Sequence, residues 1–317
     1  MRKTIALLIL VVLVPCTALA DLTVYFLDVG QGDCAVIECD GEIMIIDGGL
    51  PGQSQKIYSF LTNELDFDRF VYMVATHPDN DHIGGLPAVF EAANKINKQV
   101  KYVYSPLKEF DSPRFTDLKN KADQYNLKIK VPYDEEEKTL GSATVVFYNC
   151  GRERKGVVRT AADWFKSVFH RDDPEEDKEN NDISLVVKII YKDTSFLFTG
   201  DIEEDAEKRL INSGYDLSAD VLKIAHHGSK YSSSVDFLQK VAPSYAVISC
   251  GKGNRYKHPH QKTLTDLMNL KSPQNQALQL YRTDMQGMIT CRSDGQSISF
   301  ETEKTATGDL FTAPENE

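Results

Sequence analysis

Seven histidines occur in the 317 residues, and six of them fall in three pairs: His77 with His82, His226 with His227, and His258 with His260. The densest group is His77-x-Asp79-x-Asp81-His82, four metal-capable side chains within six residues. One small ion needs fewer ligands than that from a single loop, and successive side chains of a turning loop cannot all face one point. Alternate ones can, so His77 and Asp79 could serve one ion while Asp81 and His82 serve a neighbour. Mixed imidazole and carboxylate ligation suits Zn²⁺, and Mn²⁺ gains ground as oxygen ligands accumulate. The bland alternative is an Asn/Asp-rich turn capping the helix that starts near Gly84. Such a turn accounts for one aspartate but not for two histidines as well. A lone histidine beside a Gly or Pro turn is more often a surface residue than a ligand; three clusters weaken that reading.

Side chains of this kind must be held by strand ends, where loops carry function on a rigid scaffold. Leu22 to Leu27 alternates as a strand and runs out into Asp28-Val29-Gly30-Gln31-Gly32-Asp33. Cys34 to Glu38 resumes, Asp40-Gly41 reads as a hairpin turn, and Glu42 to Ile46 ends at Asp47-Gly48-Gly49. A helix is predicted from Gln53 to Glu64, then a buried strand from Phe70 to Ala75 that empties into the His77 loop. Gly84-Gly85-Leu86-Pro87 opens a helix to about Asn97. Strands near Val100 to Tyr104, Lys128 to Val131 and Ala143 to Tyr148, with a helix from Pro113 to Tyr125, close a first half.

The dense charged stretch from Asp172 to Asp182 reads as a solvated loop. A second half repeats the grammar. A hairpin of Ile183 to Tyr191 and Thr194 to Phe198 ends at Gly200-Asp201, a helix spans Glu203 to Ser213, and Val221 to Ala225 empties into His226-His227-Gly228-Ser229. Helix Val235 to Val241, strand Tyr245 to Ser249, helix Thr263 to Leu270 and strands at Gln279 to Thr283, Gly287 to Arg292 and Ile298 to Glu301 follow. Strands interleaved with helices in two similar halves predict an α+β/α/β fold, two mixed sheets packed together with helices outside. The hydrolase domain is placed at residues 21–304, and the tail from Thr305 is expected to be flexible.

The loop after Ala75 resembles the metallo-β-lactamase superfamily motif His-x-His-x-Asp-His, with Asp79 in place of the second histidine. This variant is similar to that of the ComEC-type branch, the hydrolase domain associated with DNA uptake. The segments Phe26 to Asp33, Ile46-Asp47-Gly48-Gly49, Asn181-Asp182-Ile183-Ser184-Leu185, Phe198-Thr199-Gly200-Asp201, His226-His227-Gly228-Ser229 and Asn254-Arg255-Tyr256-x-His258-Pro259 agree in order. The resemblance spans about Leu22 to Ile298 and implies an αββα sandwich with metals at one edge between the halves. It makes Asp201 the bridging carboxylate, gives the first metal His77 and Asp79, and gives the second Asp81, His82 and one of His226 and His227. His227, directly before Gly228, is the favoured ligand, with His226 lining the site. Asp47 is expected to orient a ligating histidine. Asp81, His226 and His258 are assigned catalytic roles, and Asn181, Ser184 and Arg255 a supporting or substrate-binding one.

One departure bears on the chemistry. Superfamily members usually carry another metal-binding histidine between the first loop and the bridging aspartate; here that region holds only His170, in the charged loop. Asn181-Asp182-x-Ser184 occupies its place, and Asn181 or Asp182 could supply an oxygen. Two divalent ions activate a shared water and clamp both oxygens of a displacement. A first site short of one ligand favours a substrate that brings its own oxygens, as a phosphodiester does. His258, on a loop with Arg255 and Lys257, is a candidate phosphate contact or leaving-group acid; the alternative for His258 and His260 is a polar surface loop.

Composition sets the remaining bounds. With 41% hydrophobic and 26% charged residues the chain can bury a core without staples. Arg2 and Lys3, the apolar run Ile5 to Val14 and Ala18-Leu19-Ala20 have the parts of a secretory signal peptide, with cleavage expected after Ala20 and export to the periplasm or medium. That run is too short to span a bilayer, so no membrane span is expected after cleavage. Cleavage leaves 34 basic against 47 acidic residues, a net charge of −13. A protein gripping nucleic acid by a broad electrostatic footprint would be basic, so any polyanion must be held locally. The remaining five cysteines lack zinc or disulfide-framework spacing and read as buried thiols. The expectation is an exported metal-dependent phosphodiester hydrolase, nuclease-like. Small phosphorylcholine-type esters, acyl substrates and a non-catalytic binding role are the alternatives.

Overall fold

A computed structural model describes residues 22–150, 181–272 and 275–314. The expected signal segment and His170 lie outside the described residues. In chain order the strands are β1 (Leu22–Phe26), β2 (Ala35–Cys39), β3 (Glu42–Ile46), β4 (Arg69–Val74), β5 (Tyr102–Tyr104), β6 (Ile129–Lys130), β7 (Glu136–Leu140), β8 (Ala143–Tyr148), β9 (Val186–Tyr191), β10 (Thr194–Phe198), β11 (Val221–Lys223), β12 (Tyr245–Ile248), β13 (Gln279–Arg282), β14 (Ile289–Ser293) and β15 (Ile298–Thr302). They form an eight-stranded sheet, β15-β14-β1-β2-β3-β4-β5-β6, and a seven-stranded sheet, β13-β12-β11-β10-β9-β8-β7. Both are mixed. The run β3 to β6 is parallel in the first, and β10 to β13 in the second.

Alternation explains the layers. Val24, Phe26, Ile37 and Met44 from one sheet and Phe147, Val187, Phe196 and Phe198 from the other share one buried core, with the Phe26 and Phe198 rings stacked at 5.9 Å. The opposite faces are covered by helices: α1 (Ser54–Ser59), α3 (Pro87–Lys95) and α4 (Pro113–Gln124) on the first sheet, α5 (Glu204–Asn212), α6 (Val235–Val241) and α7 (Gln261–Asn269) on the second. A short α2 (Asn80–Ile83) lies in the His77 loop. The result is the αββα sandwich. Because β3, β4, β10, β11 and β12 run parallel within their sheets, their carboxyl ends deliver Asp47, Thr76-His77, Asp201, His226-His227 and Ser249 to one edge, where open α/β sheets bind ligands.

Several details differ from the sequence reading. Ala143–Tyr148 does not close the first half; it pairs antiparallel with β9 in the second sheet. Ile289–Ser293 returns to the first sheet beside β1. Alternation marks a segment as a strand but says nothing of its partner. β7 was not expected, since Glu136-Glu137-Lys138 reads as a solvated run; it is an edge strand whose outward charges protect the sheet from further pairing. The helix from Gln53 divides into a 3₁₀ turn, α1 and a π-helical end at Phe60–Glu64.

Where it is described, the tail makes specific contacts with the second half. The guanidinium of buried Arg282 donates to the Leu310 and Thr312 carbonyls at 2.9 and 2.7 Å and pairs with Asp284, while Gln261 bonds Phe311 and Ala313. Such anchoring depends on a buried cation far back in the chain. Cys34, Cys39, Cys150, Cys250 and Cys291 are free and buried. No helix among the described residues is long and apolar enough to cross a membrane.

Candidate metal centre

The Asp47-Gly48-Gly49 turn and the His82-Ile83-Gly84-Gly85 turn pass backbone against backbone. Gly48 N donates to His82 O at 2.6 Å and Gly85 N to Gly49 O at 3.0 Å. A Cβ on Gly85 would stand 2.1 Å from Gly48 O, and one on Gly48 would stand 2.8 Å from Leu86 N. Only glycine permits this approach, and the approach sets Asp47 beside His82. Asp47 accepts from Thr76 N at 2.9 Å, from Thr76 Oγ1 at 2.6 Å and from His82 Nδ1 at 2.7 Å. The Thr76 hydroxyl has one proton, spent on Asp47, so at its 3.1 Å contact with His77 Nδ1 the imidazole is the donor. In the second sheet His227 Nδ1 donates to Ser249 O at 2.9 Å, with Asp33 Oδ1 at 3.2 Å.

All three rings are therefore tied through Nδ1, which leaves each Nε2 as the ligand-ready nitrogen. His82 Nε2 and His227 Nε2 lie 3.4 Å apart. They stand 3.2 and 3.3 Å from the same oxygen, Asp201 Oδ2. Asp81 Oδ2 is 3.3 Å from His227 Nε2. His77 and His82 rings are 4.0 Å apart; His77 Nε2 has no hydrogen-bond partner and faces Asp79 Oδ2 at 3.7 Å. The structure thus gathers Asp81, His82 and His227 about Asp201, and sets His77 with Asp79 beside the His82 ring.

Local strain contributes. His226 and His227 are consecutive left-handed residues, φ 49° and 53°, a conformation that costs non-glycine residues about 1–2 kcal/mol each. His226 N donates to Gly200 O at 3.1 Å, holding the turn. Asp201 is fixed through its own backbone: its N–H donates to Ser184 Oγ at 3.2 Å, Ser184 N–H donates to Asn181 O, and Asn149 Nδ2 bonds Ser184 O. Asn181 Nδ2 reaches Glu203 Oε1 at 3.3 Å, and Glu203 lies 3.4 Å from His226 Nδ1. Asp182 is not available as a metal oxygen, because its carboxylate accepts from Glu203 N and faces Arg209.

His258 is buried, which removes the surface-loop alternative for it. Its ring lies 5.4 Å from His226 and 6.1 Å from His227, with Tyr256 stacked outside it at 5.7 Å. Arg255 is exposed, its guanidinium 4.7 Å over the Tyr256 ring. His260 Nδ1 accepts from Lys230 N at 3.1 Å, a loop-fastening contact.

The electrostatics follow from this packing. Burial disfavours the His82 and His227 imidazolium ions, but Asp201 beside both, with Asp47 for His82 and Asp33 and Asp81 for His227, raises them well above the ordinary histidine value. Burial would raise Asp201 and Asp81; the imidazoles hold both below the usual carboxylate range. Burial and the neighbouring His82 lower His77 to about 4. Burial first, and then the neighbouring histidine rings, lower His258 to about 3. Without metal, this packing favours protons held between His82, His227 and Asp201. A divalent cation satisfies the same converging lone pairs without them, and the orphaned Asp201 Oδ1 and His77 Nε2 also need a partner. The donor set fits divalent metal.

Sequence reasoning missed three residues. Asp33, within ligand distance of His82, Asp201 and His227, had a signal in closing the Asp28-to-Asp33 motif. Lys223 pairs with Asp33 at 2.8 Å; a lysine inside Val221-Leu222-Lys223-Ile224-Ala225 was itself an anomaly. Glu203 follows the bridging aspartate by two positions.

The metallo-beta-lactamase superfamily pattern matches residues 27–148. ComE operon protein 3 of Bacillus subtilis is 29% identical over 283 residues, 84% of this chain and 32% of that protein. Competence protein ComA of Neisseria gonorrhoeae is 27% identical over 263 residues, 83% of this chain and 31% of that protein. The chain spans about a third of the length of these relatives. Among solved structures, CmlA, a diiron beta-hydroxylase from Streptomyces venezuelae, shares the fold with a TM-score of 0.50 at 13% identity, over 86% of this chain and 54% of that one. Residues 27–148 carry the superfamily's sequence pattern, and with two mixed sheets flanked by helices the chain has the metallo-beta-lactamase fold and distant homology to the ComEC-type proteins.

Proposed function

We propose that this protein is an exported metal-dependent hydrolase that cleaves phosphodiesters, with nuclease-like chemistry. The observation that carries the reading is the convergence of bare imidazole nitrogens and carboxylate oxygens on Asp201 Oδ2. Two divalent ions, Zn²⁺ or Mn²⁺, held by His77, Asp79, Asp81, His82, Asp201 and His227 would supply charge stabilisation and a water of lowered pKa. Asp47 and Asn181-Ser184 hold the ligands in place. Glu203 orients His226 toward the rim. His258, kept neutral chiefly by its burial, offers an acceptor or donor nitrogen at the leaving side, and exposed Arg255 and Lys257 offer charge to a phosphate.

A phosphodiester is favoured over a lactam because the His77 side offers two protein ligands among the described residues, and a substrate with two non-bridging oxygens completes it. The relatives named for competence support nucleic acid as the substrate class; the acidic chain favours a small phosphodiester. The test is a panel on the metal-loaded protein with a chromogenic phosphodiester, single- and double-stranded DNA, a phosphorylcholine ester, a lactone and a β-lactam. Mn²⁺ should stimulate phosphodiester cleavage at least as well as Zn²⁺, and DNA cleavage should be inhibited by salt more than small-ester cleavage. Ready lactone or lactam hydrolysis with every phosphodiester left intact would replace this reading by an acyl hydrolase. Export is tested by N-terminal sequencing of the mature protein, which should begin at Asp21.

A further inference from the structure

We infer that Asp33 and Lys223 form a positioning pair beside His227 that sets how much negative charge reaches its ring and so how tightly the ring takes metal. The inference rests on the metal reading of the centre and not on the phosphodiester substrate. Lys223 and Asp33 are both buried, 4% and 6% exposed. Lys223 Nζ lies 2.8 Å from Asp33 Oδ2 and donates to Ile224 O at 2.8 Å. Burying a lysine at a strand end between leucine and isoleucine costs several kcal/mol before pairing, and an apolar residue there would pack at least as well. Stability alone therefore does not explain it.

The second oxygen gives the explanation. Asp33 Oδ1 has no hydrogen bond of its own and stands 3.2 Å from His227 Nδ1, whereas Asp81 and Asp201 stand at Nε2. With Nε2 turned to Asp81 and Asp201, Asp33 is the acidic neighbour of the ring's other nitrogen. A carboxylate at the far nitrogen of a ligating histidine fixes its orientation and raises its basicity. Asp47 does this for His82 by accepting its Nδ1 proton; at His227 that proton goes to Ser249 O, and Asp33 acts as a charge 3.2 Å from the same nitrogen. Asp33 and Asp47 line one small cavity behind the ligands, and Lys223 is the one cation lining it. Its ammonium pairs with Asp33 alone. His82 thus leans on an uncompensated carboxylate and His227 on a compensated one.

The test is calorimetric titration of metal-free protein with Mn²⁺ and with Zn²⁺, beside thermal unfolding of the same samples, for Asp33→Asn, Lys223→Met and the double variant. Asp33→Asn should weaken one binding step by about 10- to 100-fold. Lys223→Met should leave that step as tight as in the wild type, or tighter, because it uncovers the carboxylate. If either single variant fails to fold, the uncharged double variant decides, and should show the Asp33→Asn loss. Wild-type affinity in Asp33→Asn or in the double variant overturns the inference, as does a loss in all three that merely follows their melting temperatures. A wild-type chain that binds no divalent ion overturns the reading of the centre as well.

Discussion

The two sheets present their ligating histidines by different means. On the first, Asp47 takes three donors, two from Thr76 and one from His82, and has no lysine or arginine partner among the described residues. On the second, Asp33 gives one oxygen to Lys223 and leaves the other beside His227. Both arms end the same way, with Nε2 at 3.2 and 3.3 Å from Asp201 Oδ2. Hydrogen-bond saturation and ion pairing are thus interchangeable as geometry but not as electrostatics. Breaking a hydrogen-bonded arm costs a few bonds, whereas breaking an ion-paired arm strands a buried charge.

The largest expected effect comes where the arms meet. Asp201→Ala should abolish activity and at least one bound metal, a loss beyond the roughly 100-fold typical of removing an outer partner. Wild-type metal content and rate in that variant would show that the arms do not share Asp201. Next comes Asp33→Asn, which leaves Lys223 buried and unpaired and should cost about 3–5 kcal/mol of stability. Asp47→Asn should cost only about 1–3 kcal/mol, while weakening metal by about 10- to 100-fold. Denaturant unfolding of the metal-free variants checks the order; a larger stability loss for Asp47→Asn would reverse the comparison.

The pH response separates the histidines without mutation. In metal-free protein His82 and His227, raised well above the ordinary value, should be imidazolium at neutral pH, while His77 and His258, near 4 and 3, should be neutral. A raised histidine stabilises the metal-free fold fully below the unfolded value of about 6.5, and that stability fades as pH rises through its folded value. Lowered histidines act oppositely, costing stability as pH falls below about 6.5 toward their folded values. Metal must displace the His82 and His227 protons, so its apparent affinity should climb with pH and its binding should release protons. Imidazole ¹⁵N shifts check the first point, and calorimetry in buffers of differing ionisation enthalpy the second. Proton-independent metal binding at neutral pH would contradict the charge state of both arms.

The smallest effect belongs to the rim. Arg255→Ala should raise KM for a phosphodiester by a factor below about 5 and leave kcat alone, since an exposed charge contributes up to about 1 kcal/mol. A collapse of kcat instead would place Arg255 among the groups acting in the transition state.

Much of the molecule was legible in consecutive residues. Alternation from Leu22 to Phe26 and along Ala35–Cys39 and Glu42–Ile46 marks strands because a pleat exposes every second side chain. The paired glycines after Asp47 and His82 mark tight turns at strand exits. These local patterns, with the histidine and aspartate clusters, determined the sandwich and the contents of its edge. Tertiary structure alone decided the remainder. It placed Ala143–Tyr148 in the second sheet, buried His258, turned Asp182 toward Arg209 and anchored the tail on Arg282. It also set Asp33 and Lys223 behind His227, and so decided which imidazole nitrogen is free. Register, burial and tautomer depend on partners supplied by distant strands, and no neighbouring residue carries that information.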